Sequence, residues 1–293
     1  MSMNKLRTLC ALAAYLCSTL INAQNTEKLY LSGTGLGDTR TWDFYCSAGM
    51  NSGKWRKIEV PSQWEQQGFG EYTYGRFYLN KEAQPSSENG LYRDKYKLKF
   101  GKKNELEVQV WKESSNKSVN AAERRADWWL FGGIYRPVYL KAVPAAHIER
   151  IAVNATADGT LTTRLHTQGN TPGYTVALSL APVGSQQTAS KQIMPLSADS
   201  VQTLTTFWQG VQPWECEHPN LYTLTLELLN PQKQVVHIHE ERIGFRTIEF
   251  RPQDGFYVNG TKVIMKGVNR HCFHPDGGRT TNKQLSLQDA LLI

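Results

Sequence analysis

The sequence predicts a mainly β protein: a β-rich N-terminal region, an immunoglobulin-like β-sandwich, and then the opening of a β/α architecture. Three observations carry this. Apolar residues alternate with polar ones in short runs, as Leu106, Val108 and Val110 do with Glu105, Glu107 and Gln109. From 143 to 250 such runs recur at intervals of roughly 8–15 residues, set apart by Gly, Pro, Asn or Asp, which is the spacing of sandwich strands. From 256 the pattern changes to a hairpin, an apolar run, a polar loop and a helix start.

Each segment follows in order. Lys5 and Arg7 precede the apolar stretch Thr8 to Ile21, and Ile21-Asn22-Ala23 is a cleavage site before Gln24. Residues 1–23 are therefore expected to be a secretory signal, and the mature protein to be secreted, periplasmic or extracellular in a bacterium. Leu16 before Cys17 is too large for a lipoprotein signal. Residues 24–142 read as strands and turns with no sustained helical period. Lys57 to Val60 alternates and stops at Pro61, and Ile134 to Leu140 reads as one strand containing Pro137, hence near an edge. Strands are expected at 148–153, 161–166, 174–180, 201–207, 221–229 and 235–245. His237 and His239 alternate on one of them and read as exposed. Phe256 to Met265 is a hairpin with Asn259-Gly260 at its turn. Val263 to Val268 runs apolar into Asn269-Arg270-His271. Ser286-Leu287-Gln288-Asp289 has capping-box spacing ahead of a helix.

Composition excludes several classes. The 33 Lys and Arg against 26 Asp and Glu give +7, which becomes +5 without Lys5 and Arg7. The basic residues are scattered among acids, which argues against nucleic-acid binding. No apolar run after residue 23 approaches the roughly 18–20 residues of a membrane span. Three cysteines remain after 23, Cys46, Cys216 and Cys272, without zinc spacing or a disulfide framework. Gly33-x-Gly35-x-Gly37 lacks the spacing of a phosphate loop and reads as a turn.

Several segments together resemble glycoside hydrolase family 2, the family of β-galactosidases, β-glucuronidases and β-mannosidases. They are Trp55-Arg56-Lys57-Ile58-Glu59-Val60-Pro61-Ser62-Gln63-Trp64; Asp127-Trp128-Trp129-Leu130-Phe131-Gly132-Gly133-Ile134-Tyr135-Arg136-Pro137-Val138; Trp214 with Pro219-Asn220-Leu221-Tyr222; Gly244-Phe245-Arg246; and Lys266-Gly267-Val268-Asn269-Arg270-His271. The resemblance covers 29–293 in order. It implies a jelly-roll sugar-binding domain at 24–142, the immunoglobulin-like sandwich at 143–250, and at 251–293 the truncated start of a catalytic (β/α)8 barrel.

The chain departs from that pattern twice. Only ten residues, Asp94 to Lys103, separate the Gly90–Arg93 segment from Asn104–Leu106, where family members place several strands. The jelly roll is therefore expected to be internally shortened, with unpaired edges. Residues 251–293 supply 43 residues of a barrel that needs about 250. By resemblance both catalytic glutamates lie beyond Ile293, and this chain is expected to be inactive alone.

The resemblance implies a glycosidase that cleaves a terminal β-linked sugar, a β-galactoside first and a β-glucuronide or β-mannoside as alternatives, by retaining chemistry between two carboxylates. A non-catalytic carbohydrate-binding module and a non-functional gene fragment are the rivals. The partner is an oligosaccharide or glycan. Asp127 matches a family aspartate that reaches into the sugar pocket. Asn269, Arg270 and His271 stand at the end of the first barrel strand, where such barrels keep their sites. Cys272 stands where many β-galactosidases have a Glu that can serve as a magnesium ligand, which argues against metal binding at that position; no cofactor is assigned, and Mg or Na in the complete enzyme stays open. Tyr74 replaces an Asn that contacts sugar in β-galactosidases. Trp128 and Trp129 either stack on sugar or pack in the core. Glu241 and Asp254 read as surface carboxylates.

Overall fold

The computed structural model describes residues 24–71, 88–97, 103–125, 131–185 and 191–293. The described chain forms two compact units. One is Lys28–Leu140 with Val268–Ile293; the other is Lys141–Gly267 with residues 24–27.

The N-terminal elements are β1 (Gln24–Asn25), β2 (Glu27–Tyr30), β3 (Arg40–Cys46), β4 (Trp55–Val60), β5 (Ser62–Gln63), a 3-10 turn at Glu65–Gln67, β6 (Asn89–Lys97), β7 (Lys103–Trp111), α1 (Lys117–Arg125), β8 (Gly133–Ile134) and β9 (Tyr139–Ala142). A four-stranded sheet runs β4-β3-β6-β7, beside the pairs β2-β9 and β5-β8. The period-two pattern of β3 sends Trp42, Phe44 and Cys46 inward, where they join Ile58, Val60, Trp64 and Tyr92 in a core. Phe44 is its centre, with the rings of Tyr92, Phe69 and Trp64 at 4.6, 5.0 and 5.9 Å.

The segments flanking the short stretch close directly on each other: β6 pairs with β7 from Asn89↔Trp111 to Lys97↔Lys103, and with β3 on its other side, so that β7 ends the sheet. Two expectations for this region change. The single strand expected over 134–140 is split into β8 and β9, because Pro137 carries no N–H for a ladder. Helix α1 stands where no helix is expected. Asn116 caps it, its Oδ1 accepting from the amides of Ser118 and Val119 at 2.9 and 3.3 Å. Val119, Ala121 and Ala122 are its only apolar residues among Lys, Asn, Glu and Arg, so no apolar run marks it in the sequence.

The sandwich consists of β10 (His147–Ala155), β11 (Thr160–Gln168), β12 (Thr175–Pro182), β13 (Gln192–Pro195), β14 (Val201–Phe207), β15 (Tyr222–Leu229) and β16 (Val235–Ile243). One sheet is β10-β11-β14. The other is β16-β15-β12-β13, with β1 added in parallel to β16. Leu224, Leu226 and Leu228 of β15 point inward against Leu161, Leu165 and Leu178, all fully buried. Each such side chain contributes about 1.5–3 kcal/mol. His237, expected exposed, is fully buried on β16, because that strand is not a free edge: β1 lies beside it and β10 packs near it.

The sandwich unit ends in the antiparallel strands β17 (Ile248–Arg251), β18 (Gly255–Val258) and β19 (Thr261–Val263). Asn259 and Gly260 turn the β18–β19 hairpin with φ of 49° and 78°, the left-handed pair that a two-residue hairpin requires. Residues 264–271 have no regular secondary structure. Helix α2 (Lys283–Leu292) begins earlier than the Ser286 motif suggests. Asn282 is the cap, its Oδ1 accepting from Leu285 N at 2.7 Å, and Ser286 lies inside the helix.

Candidate functional site

A cleft of about 520 Å³ is lined by Val268–Phe273 and Arg279, all within the Lys28–Leu140 and Val268–Ile293 unit. It brings together Asn269, Arg270 and His271. Arg270 is held by Asp289 of α2: its Nε donates to Oδ2 at 2.5 Å, and its Nη2 reaches the same oxygen. Its Nη1 also approaches Cys272 Sγ at 3.7 Å. Amide, imidazole and guanidinium side chains here offer donors and acceptors to a hydroxyl-rich ligand. On the wall, the rings of Phe273 and Phe131 stack with centroids 6.2 Å apart and 5° between planes. Asp127, Trp128, Trp129 and Tyr74 lie outside the described residues.

Arg279, on the cleft lining, is anchored by a residue that sequence reasoning did not single out. Gln63 is fully buried and sits on β5 opposite Gly133. Its Oε1 accepts from Arg279 N at 2.9 Å and its Nε2 donates to Thr280 Oγ1 at 2.7 Å. Arg136 Nη1 donates to Arg279 O at 2.8 Å, and Asn282 Nδ2 to Leu36 O at 2.9 Å. The Arg279 guanidinium lies over the Tyr135 ring at 5.4 Å. Residues 279–282 are thus fastened to β5, to the 135–136 segment and to the Leu36 turn. The only sequence signal was indirect, because Gln63 lies inside the quoted Pro61-Ser62-Gln63-Trp64 segment.

A second missed group lies beneath the start of β8. Both oxygens of Glu65 accept from Gly132 N, at 2.8 and 3.0 Å, and Trp64 N donates to Gly132 O at 3.1 Å. A Cβ on Gly132 would lie 1.7 Å from the Trp64 ring, so only glycine fits. Lys112 Nζ meets Glu65 Oε1 at 2.8 Å and Glu88 Oε2 at 3.7 Å, with these side chains only 2–3% exposed. Burial raises the Glu65 pKa, and Lys112 opposes the rise. These ions are far apart in sequence, so no local motif marks them.

No carboxylate pair lines the cleft among the described residues; Asp289 is taken by Arg270. Asp254 is engaged by Tyr257 at 2.6 Å and Lys262 at 2.8 Å, which lower its pKa, and the Glu241 side chain is half exposed on β16. A hard cation needs several oxygen ligands. The 270–272 segment presents a guanidinium, an imidazole and a thiol, and no cluster of three metal-ligating side chains occurs among the described residues. The described residues do not fit Mg or Na.

The model of the family "Glycosyl hydrolases family 2" matches residues 146–246. A β-galactosidase of Clostridium acetobutylicum is 31% identical over 191 residues, which are 64% of this chain and 20% of that protein. A β-galactosidase large subunit of Latilactobacillus sakei is 31% identical over 180 residues, 60% of this chain and 27% of the subunit. The chain therefore spans about a fifth to a quarter of these relatives' length. Among solved structures, Bifidobacterium dentium β-glucuronidase complexed with coumarin-3-O-glucuronide shares the fold with a TM-score of 0.68 at 16% identity, over 93% of this chain and 57% of that one. The β-galacturonidase of Eisenbergiella tayi bound to galacturonate gives 0.65 at 17% identity, over 94% and 53%. By its matched sandwich strands, its sequence relatives and its mainly β fold, the chain is similar to members of glycosyl hydrolases family 2.

Proposed function

We propose that the protein is the N-terminal part of a secreted glycosidase that removes a terminal β-linked sugar from an oligosaccharide or glycan. The match to the family model and the β-galactosidase relatives support a β-galactoside as the first choice, with a β-glucuronide or β-mannoside as alternatives. The observation that carries the reading is the cleft at Val268–Phe273, which gathers the hydrogen-bonding side chains of Asn269, Arg270 and His271. Asn269, Arg270 and His271 bind hydroxyls there, and Asp127 is assigned to the same sugar. The organisation behind it is a signal at 1–23, a jelly roll at 24–142, a sandwich at 143–250 and a barrel start at 251–293.

In this reading the chemistry is retaining. One carboxylic acid protonates the leaving oxygen, and a carboxylate about 5 Å away attacks the anomeric carbon. Both are assigned to later strands of the barrel. A non-catalytic carbohydrate-binding protein is the second reading. Turnover of nitrophenyl β-glycosides by the chain alone and by a version carrying a complete family barrel separates the two. Cleavage only by the completed form is expected; cleavage by the chain alone, or by neither, refutes the reading. In the completed form Asp127→Ala and His271→Ala should each lower kcat/KM by about 10-fold or more, about 1.4 kcal/mol, with unchanged melting. Unchanged kcat/KM in both removes these residues from the site.

A further inference from the structure

His237 stands where three segments of the sandwich unit meet. Its ring is fully buried on β16. Nδ1 lies 3.1 Å from the backbone N of Ile148 on β10, a strand of the opposite sheet. Nε2 lies 3.1 Å from Thr26 Oγ1, in the segment just after β1. That segment is also tied to the same strand by the parallel pairing Gln24↔His237 and Asn25↔Ile238.

The protonation state follows from the partners. A backbone amide only donates, so Nδ1 must keep its lone pair. The ring proton is then on Nε2, where it donates to the Thr26 hydroxyl oxygen. This neutral tautomer satisfies both nitrogens. A second proton has to enter at Nδ1, where it would face the Ile148 N–H, replacing a hydrogen bond with opposed donors. The imidazolium would also be buried without a partner.

We propose that His237 is an acid-sensitive latch that, while neutral, ties the 24–27 segment and β10 to β16, and lets go of both when it takes up a second proton. The groups around the ring act in the same sense. The His147 ring on β10 stands edge-on at 6.1 Å, His239 follows on β16, and Lys141 approaches from β9. Burial first, and then these three, lower the His237 pKa to about 4. The sign is that of a depressed base: the latch is closed at neutral pH and opens as pH falls through about 4.

The experiment is hydrogen exchange of the whole chain from pH 7 to pH 3, with rates corrected for intrinsic exchange. Amides of residues 24–27 and of Ile148 are followed beside far-UV circular dichroism. In wild type, protection of these amides should fall at least tenfold near pH 4 while the β signal persists. His237→Asn places an amide oxygen close to the Nδ1 position and does not titrate there, so its protection should stay flat. Equal loss in both proteins, no loss in wild type, or cooperative unfolding of both at one pH overturns the latch. If the Asn variant does not fold, ring nitrogen shifts of wild-type His237 decide. A ring titration coincident with loss of Ile148 protection supports the proposal, and separated midpoints overturn it.

Discussion

Replacing Lys112 with Met should turn a silent buried ion cluster into a pH-dependent defect. The ammonium is 2% exposed and contacts Glu65 at 2.8 Å and Glu88 at 3.7 Å. Met keeps most of the chain volume but removes the charge, leaving two buried carboxylates. The cell of structure then has a bounded way out, which is to protonate Glu65. Its ordinary value is 4.5, already raised by burial and opposed chiefly by Lys112. Without Lys112 burial acts on Glu65 with its main opposition removed, so the folded state takes up that proton more readily than the unfolded chain, which releases it above 4.5. The penalty is therefore small near pH 4.5 and grows with pH by about 1.4 kcal/mol per unit. At pH 7 it reaches about 3 kcal/mol, in line with the roughly 3–5 kcal/mol for breaking a buried pair. Denaturant unfolding at pH 7 and pH 5, followed by tryptophan fluorescence, measures it. The loss at pH 5 should be under about 1 kcal/mol from this source. The double variant Glu65→Gln with Lys112→Met should flatten most of the pH dependence, since Gln still accepts from Gly132 N. A Lys112→Met cost below about 1 kcal/mol at pH 7, or one equal at both pH values, would refute the reasoning.

Gln63→Leu should strip the buried amide from Arg279 and Thr280 and cost about 1–3 kcal/mol; proteolysis mapped by mass spectrometry should gain new cuts between 274 and 282, and unchanged resistance counts against the fastening role. Gly260→Val should destabilise by more than about 1 kcal/mol, because φ of 78° is left-handed; a thermal melt unchanged from wild type contradicts the turn assignment. Leu226→Ala empties a fully buried position of the sandwich and should cost about 2–5 kcal/mol, read as a lower denaturant midpoint with unchanged slope.

What the sequence determined by itself is whatever depends on local pattern. Alternation places Leu224, Leu226 and Leu228 on one buried face because strand side chains have a period of two. Asn259-Gly260 announces its hairpin because few residue pairs accept two left-handed conformations. Asn269, Arg270 and His271 were legible as a contiguous polar run. Tertiary structure decided what depends on neighbours distant in sequence. Alternation says that His237 shares a face with His239, but not that β1 and β10 will cover it. Glu65, Glu88 and Lys112 look like ordinary surface charges until β6, β7 and the 65–67 turn fold over one another. Gln63 gains its meaning only when Arg279 and Thr280 arrive from more than two hundred residues away. A buried polar group is specified by its partners, and partners brought together by chain folding leave no periodic trace in the sequence.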